Sequence, residues 1–418
     1  MISEVIILND YASLTGGSSA VAIASALGLA SRGVAVTYFS AVGPVAPQLV
    51  DVPGLQVICL DQQEIAKDAK RLRAFTSGLR NGAAVTALRA LLATKDPART
   101  IVHAHTWMKA LSPFALEEVT ARGFRLVVTL HDFFITCPNG GFFDYKRGRI
   151  CRRKPLSPDC LGCQCDRRNY GHKLWRSART ALQNKVLRLP SKVSLYIGVT
   201  DFSLDIMRPY IPASIPATVV RNPVDCVDER PADNAANDTF LYIGRFVPEK
   251  GPQLFAAAAR AAGVPATFIG DGELMADLRR MCPEATFTGW LQPAEIRAHL
   301  RRARALVFPP LWYETLGLVA IEAAASGVPP IVADRCAATD YIQHGKTGLM
   351  FTHGSVQSLT DRLTAVARDD ELASRLGREA YQWYWDDPWT TERHVTDLID
   401  AYQSSLEQLV ATANHATT

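Results

Sequence analysis

The sequence predicts an α/β protein built of two doubly wound, Rossmann-like domains. Three observations carry that reading. Short β-branched runs alternate with helix-length segments, the rhythm breaks once near the middle, and each half opens on a strand leading into a glycine-bearing turn. Such alternation implies parallel sheets with helices on both faces, because a parallel connection needs a crossover long enough to hold a helix. The first-half strands are read at Glu4–Leu8, Val34–Phe39, Leu55–Cys59, Thr100–Ala104, Arg125–Leu130 and Leu195–Val199. Those of the second half are Thr239–Gly244, Ala266–Ile269, Ala285–Thr288, Ala305–Phe308, Pro330–Ala333 and Gly348–Phe351. The interruption is Cys226–Asp238, rich in Asp, Asn, Ala and Pro, a natural linker between domains 1–225 and 226–385. Residues 386–418 read as a helix packing back towards the first domain, and the aromatics Tyr381, Trp383, Tyr384 and Trp385 before it read as packing residues.

With 418 residues and 48% apolar content, the chain can bury more than one core. A charged fraction of 21%, with glycine and proline dispersed, excludes disordered and fibrous classes. Glu4 stands where a secretory signal needs positive charge, and the apolar stretch Ala20–Ala30 is about half the ~20 residues that span a bilayer. The expectation is a cytoplasmic chain. Its charge is unevenly spread. Between Lys146 and Lys192, 14 Lys and Arg stand against Asp159 and Asp166, so a local +12 leaves −8 on the rest of a chain whose total is +4. A concentration of that size marks a surface for anionic partners.

Three segments carry chemistry. The first βα turn holds Gly16-Gly17 before a small-residue helix, so the backbone can approach a ligand and the helix start can meet a phosphate. A plain tight turn would use the same glycines, and the dinucleotide fingerprint is absent. In the second half, Gly244-Arg245 ends a strand and Lys250-Gly251 opens the next helix. A guanidinium fork and an ammonium at the carboxyl end of a doubly wound domain's first strand can hold a diphosphate. The third segment runs from Phe308 to Ala323, with Glu314 in a loop and Glu322 eight residues later, about one turn into a helix. The N–H groups of Thr315, Leu316, Gly317 and Leu318 lie between them at the helix start. A glutamate between Ile321 and Ala323 is costly to bury without a partner.

These segments, with Thr129-Leu130-His131-Asp132 and Gly270-Asp271-Gly272-Glu273-Leu274, make the chain resemble glycosyltransferase family 4 over about residues 4–380. The resemblance implies the GT-B fold, in which two Rossmann-like domains face each other across a cleft, and a retaining transferase that uses nucleotide sugars. It implies an acceptor-binding first domain and a donor-binding second one. Arg245 and Lys250 would neutralise the leaving diphosphate, Glu314 would hold the donor sugar, and Glu322 would hold the ribose. Gly270–Leu274 would line the base pocket, Gly17 would admit the phosphates, and His131 would sit at the reaction centre. His103 and His105 are expected to line the cleft. The sequence departs from the family pattern at Gly33-Val34-Ala35, where Gly-His is usual, and at Thr315-Leu316, where a small residue and Phe are usual.

Breaking the donor bond loads negative charge on the diphosphate. With no Asp-x-Asp in the chain to hold a metal, Arg245, Lys250 and helix dipoles are expected to absorb it, so no cofactor is required. The proton would pass to the donor phosphate in a front-face attack. The expected donors are UDP or GDP sugars, and the expected acceptor is a glycan or lipid-linked glycan in polysaccharide or glycoconjugate assembly. A nucleotide-sugar 2-epimerase of the same fold and a non-catalytic nucleotide-sugar binder are the rivals. Nucleotide release with and without acceptor separates them.

A segment over about 137–192 remains. Cys137, Cys151, Cys160 and Cys163 could close a structural zinc shell, with Cys165 able to replace any of them. An iron–sulfur cluster and plain thiols stay open as alternatives. Downstream, 167–192 combines eight basic residues with Leu174, Trp175, Ala178, Leu182 and Val186 near helical spacing. That pattern suits either an anionic membrane face, with peripheral attachment, or ordinary packing under a solvated basic face. Nucleic acid is not expected, since no recognised binding module occurs.

Overall fold

A computed structural model describes residues 3–65 and 71–416. The strands before the linker are β1 (Glu4–Tyr11), β2 (Ala35–Val42), β3 (Leu55–Cys59), β4 (Thr100–Ala104), β5 (Arg125–Leu130), β6 (Phe143–Asp144), β7 (Arg149–Ile150), β8 (Leu195–Gly198) and β9 (Ala217–Val219). After it come β10 (Thr239–Ile243), β11 (Ala266–Ile269), β12 (Thr286–Gly289), β13 (Ala303–Phe308), β14 (Pro330–Ala333) and β15 (Leu349–Phe351). The first sheet runs β3-β2-β1-β4-β5-β8-β9 and the second β12-β11-β10-β13-β14-β15. All pairs in both are parallel. Central strands are buried on both faces, as Val5, Ile6, Ile7 and Leu8 show, which is why they read as unbroken apolar runs.

The strand order reverses beside β1, which lies between β2 and β4, and again beside β10, which lies between β11 and β13. Ligands of doubly wound sheets gather at the carboxyl ends of strands flanking such a point. Hydrogen bonds join the two halves beside this point. Thr315 Oγ1 donates to the His131 carbonyl at 3.1 Å, and Thr200 Oγ1 donates to the Thr315 carbonyl at 3.0 Å. Phe202 N donates to Asp340 Oδ2 at 2.7 Å. The closing helix Thr391–Ala416 crosses back onto the first domain's helix Gly17–Ser31. There a Cβ on Gly28 would fall 2.2 Å from Val395, so only glycine permits that approach. Among the described residues no helix is long and apolar enough to cross a membrane.

Between β5 and β8 the chain makes the hairpin β6–β7, a short helix at Pro158–Leu161, and the helix Tyr170–Ala181, which continues as a π-turn over Leu182–Val186. The face this segment buries differs from what its apolar spacing suggests. Lys173, Ser177, Arg179, Thr180 and Gln183 are buried, whereas Leu174 is 46% and Val186 70% exposed. The cause is the surface it covers, which offers polar backbone. Gln183 Nε2 donates to the Ile135 carbonyl at 3.2 Å and its Oε1 accepts from Trp107 Nε1 at 3.0 Å.

The cysteines fall into two neighbourhoods rather than one shell. Cys160 accepts from the buried Lys173 ammonium at 3.2 Å, and Asn139 bridges Cys137 and Cys165. Cys151 and Cys163 lie instead near Arg153, Arg147 and Asp144. Among the described residues no group of three or more His, Cys, Asp or Glu is arranged to hold a metal ion. An ammonium beside the sulfurs occupies the place a cation would need, so these residues do not fit the expected zinc.

Candidate active site

A cleft of about 680 Å³ opens between the two switch points. From the first domain it receives Gly16 and Gly17 after β1, Thr106 and Lys109 after β4, and His131 and Asp132 after β5. From the second it receives Gly244, Arg245 and Lys250 after β10, Trp290 after β12, and the turn Trp312–Val319 after β13. The sequence-derived residues His131, Arg245, Lys250, Glu314, Thr315, Leu316, Gly317 and Leu318 therefore share one cavity with the glycine pair.

Helix starts face each other there. Gly16 caps the helix Gly17–Ser31, and a Cβ on Gly17 would meet Leu318 at 3.6 Å. Gly317 caps the helix Leu318–Ala325 in the left-handed region, at φ 84°. A side chain at Gly317 would also clash with Phe308 at 2.7 Å, so the turn requires glycine. The Tyr341 hydroxyl pins the turn by donating to the Leu316 carbonyl at 2.7 Å. The N–H groups of Leu316, Gly317 and Leu318 have no backbone acceptor among the described residues, so they present donors and a positive dipole end to the cleft.

Opposite charges meet beside this turn. Lys250 Nζ is hydrogen-bonded to Glu314 Oε2, which also accepts from Trp312 Nε1 at 3.0 Å. The ammonium lies 5.3 Å from the Trp312 ring centroid. Glu314 is thereby held in place although only 9% exposed. Arg245 is exposed and makes no ion pair with the described residues, so it supplies a free cation to the site. Gly251, which ends the loop carrying Lys250, has φ 71° and lies so close to Pro309 that a Cβ would sit 1.9 Å from its carbonyl oxygen. Gly251→Ala is therefore expected to destabilise the fold by about 2 kcal/mol or more. A urea titration showing a loss under about 0.5 kcal/mol would contradict that packing.

On the other wall, three histidine rings form a chain. His103 Nε2 contacts Thr129 Oγ1 at 2.7 Å and its Nδ1 contacts the Tyr402 hydroxyl at 2.6 Å. The His103 and His105 ring centroids are 4.2 Å apart, and His105 Nδ1 lies 2.9 Å from His131 Nε2. Burial holds all three rings below the usual imidazole range, His131 at about 3, so they are neutral at ordinary pH. His131 reaches the cleft, whereas His103 and His105 stand behind it and position it. Asp132 also lines the cleft, and burial lifts its carboxyl to about 6.

Besides His103 and His105, three expected site elements lie outside the cleft lining. Gly270–Leu274 follows β11, where a Cβ on Gly270 would sit 2.0 Å from the Gly244 carbonyl; Glu273 of this loop pairs with Arg167 at 2.9 Å. Glu322 sits on the second turn of its helix, where burial raises its carboxyl above the ordinary range and Arg297 partly offsets the shift. The cysteines lie in the segment between β5 and β8. Conversely, sequence reasoning gave no role to Asp132, Lys109 or Trp290, the last 61% exposed in the cleft. The signal for Asp132 and Trp290 was their place just after strand ends.

Residues 15–228 match the family model described as Glycosyltransferase Family 4, and residues 228–383 match glycosyl transferases group 1. A GDP-mannose-dependent alpha-(1-6)-phosphatidylinositol monomannoside mannosyltransferase of Mycobacterium tuberculosis is 31% identical over 170 residues, 35% of this chain and 44% of that one. The Arabidopsis thaliana sulfoquinovosyl transferase is 32% identical over 155 residues, 34% of this chain and 30% of that one. The chain thus spans less than half the length of these relatives. In fold it is similar to the sucrose-phosphate synthase of Thermosynechococcus elongatus, with a TM-score of 0.70 at 18% identity, covering 98% of this chain and 100% of that one. Anabaena HepE, solved with UDP and glucose, aligns with a TM-score of 0.65 at 16% identity, covering 96% and 100%.

Proposed function

The chain belongs to glycosyltransferase family 4, and from that premise we propose that it moves a hexose from a nucleoside diphosphate sugar to a glycan or lipid-linked glycan, with retention of configuration. The observation that carries the reading is the meeting of Arg245, Lys250 and the free N–H groups of Leu316–Leu318 opposite the Gly16-Gly17 turn. A departing diphosphate would find cations, helix-start amides and a close backbone there, all held before the reaction starts.

In this mechanism Arg245 takes the free phosphate oxygens, and Lys250 turns from Glu314 towards the diphosphate when the donor binds, before charge develops. Glu314, released from part of its pairing, accepts hydrogen bonds from donor-sugar hydroxyls. Neutral His131 hydrogen-bonds the reacting sugar or acceptor, and Asp132 orients the acceptor hydroxyl from the same wall. The donor phosphate removes the acceptor proton on the face where the leaving group departs. With these charges met by the chain itself, turnover is proposed to need no divalent metal. The mannosyltransferase relative is named for GDP-mannose and HepE was solved with UDP, so both nucleotides enter the test. Thermal unfolding is expected to shift upward with UDP or GDP, by about 2.7 kcal/mol at 100 times Kd, and the shift is expected to vanish in Arg245→Ala. A shift equal in the variant would remove the site, and turnover lost on adding EDTA would remove metal independence.

Peripheral attachment to a membrane is part of the same proposal. Its support is the helix Tyr170–Ala181 and its π-turn, with Leu174 and Val186 exposed among basic residues. Co-sedimentation with vesicles containing phosphatidylglycerol is expected, and it is expected to weaken several-fold in Leu174→Glu/Val186→Glu. Equal pelleting with neutral vesicles would overturn the electrostatic part.

A further inference from the structure

Beside the interdomain cleft lies a second cavity, of about 450 Å³, which the mechanism above does not use. Lys109 borders both, so the two are neighbours. Its lining combines the apolar side chains of Phe75, Met108, Phe134 and Trp175 with the arginines Arg168, Arg176 and Arg179.

Arg179 is the decisive residue. It is 4% exposed, and its Nη1 donates to the Met108 carbonyl at 2.6 Å. Its Nε has no acceptor among the described residues, and no carboxylate of the described residues forms an ion pair with it. Its other contacts are faces of rings, 4.7 Å from Trp175 and 6.0 Å from Phe134. Trp175 Nε1 is likewise buried without an acceptor. Arg176 is paired with Asp166 at 3.2 Å, and Glu64, the acid in the lining, is engaged by Tyr11. Asp10 and Asp132 reach Arg179 only as charges at a distance, so its guanidinium is buried with no carboxylate in contact, which is costly. Arg179 and Trp175, which carry these two orphan donors, both line the cavity, and charge-assisted guanidinium forks favour an oxyanion there. The apolar lining of Phe75, Met108, Phe134 and Trp175 calls for a carbon chain on the same ligand.

We propose that this cavity anchors a phosphate ester bearing an apolar chain, with Arg179, Arg176 and Arg168 on the phosphate and the apolar lining on the first carbons. Resting on the transferase reading, it makes the acceptor a lipid phosphate whose sugar-receiving end extends past Lys109 into the cleft. The test is calorimetric titration of the full chain with farnesyl phosphate, farnesol, inorganic phosphate and the nucleoside diphosphate. Farnesyl phosphate is expected to bind at least about tenfold tighter than farnesol or inorganic phosphate. Arg179→Gln is expected to weaken it about tenfold or more, with nucleoside diphosphate affinity unchanged as evidence that the fold is intact. Arg168→Ala, on an exposed residue, is expected to weaken it about threefold. Farnesyl phosphate binding no better than its parts, or binding untouched by Arg179→Gln, overturns the inference. A chain that binds nucleoside diphosphate but not farnesyl phosphate defeats this inference alone. One that binds farnesyl phosphate but no nucleotide keeps this site and defeats the transferase reading.

Discussion

Lys250→Ala and Arg245→Ala are each expected to lower kcat/KM by about 10²- to 10³-fold, the cost of removing one preorganised charge from a developing anion. The two replacements should differ in detail. Arg245 is exposed and unpaired among the described residues, so its loss removes a cation and disturbs little else. Lys250 also neutralises Glu314, so Lys250→Ala leaves a buried carboxylate held by Trp312 alone. Steady-state kinetics with wild type and both variants would therefore show lost turnover in each, but lower thermal stability only in Lys250→Ala. The double variant should lose less than the product of the single losses, because both groups act on one diphosphate. Either single variant retaining more than about a third of wild-type kcat/KM would place the leaving group elsewhere.

The second large effect is on stability and comes from the histidine chain. His103, His105 and His131 are all held well below the usual imidazole pKa of about 6.5 by burial, and His394, hydrogen-bonded to Ser25 on the closing helix, is lowered too. The unfolded chain therefore binds more protons than the folded one below about pH 6.5, and stability must fall as pH falls. The geometry agrees. His105 Nδ1 and His131 Nε2 are 2.9 Å apart, so protonating both rings would set two donors and two charges against each other. Each strongly shifted histidine contributes about 1.4 kcal/mol between pH 7.5 and 5.5. Asp132, held at about 6, opposes this because its carboxyl gains a proton in the folded state over the same interval. A net loss of about 3 kcal/mol is expected in urea titrations at the two pH values, smaller by about one histidine's share in His131→Asn. A flat profile would contradict the neutral chain.

The fold was legible because its central strands are buried on both faces and stand out as apolar runs. All twelve expected strands form, within a few residues of their expected ends. Those not anticipated are marginal: β9 is an edge strand of three residues behind Pro216, and β6 and β7 are two residues each. The helix Tyr170–Ala181 was legible in its period but not in its orientation. Periodicity locates an apolar stripe, but which face is covered depends on the partner, and here the partner offers carbonyls and an indole N–H.

For the site, residues whose chemistry depends on local turns were readable: Gly16-Gly17, Arg245, Lys250 and Glu314–Leu318 all follow strand ends at the switch points. Glu322 and Gly270–Leu274 were assigned through resemblance, and they border the cleft's neighbourhood rather than its lining. Arg179 could not be singled out among eight basic residues, because its meaning lies in burial and in an unsatisfied Nε that only packing reveals.

A crystal structure with the bound nucleoside diphosphate tests the central claim most directly. Its terminal phosphate is expected within about 3 Å of Lys250 Nζ and of the N–H groups of Leu316–Leu318, with the Arg245 guanidinium on the remaining oxygens. A diphosphate seated away from that turn, with Lys250 still closed on Glu314, would contradict the account.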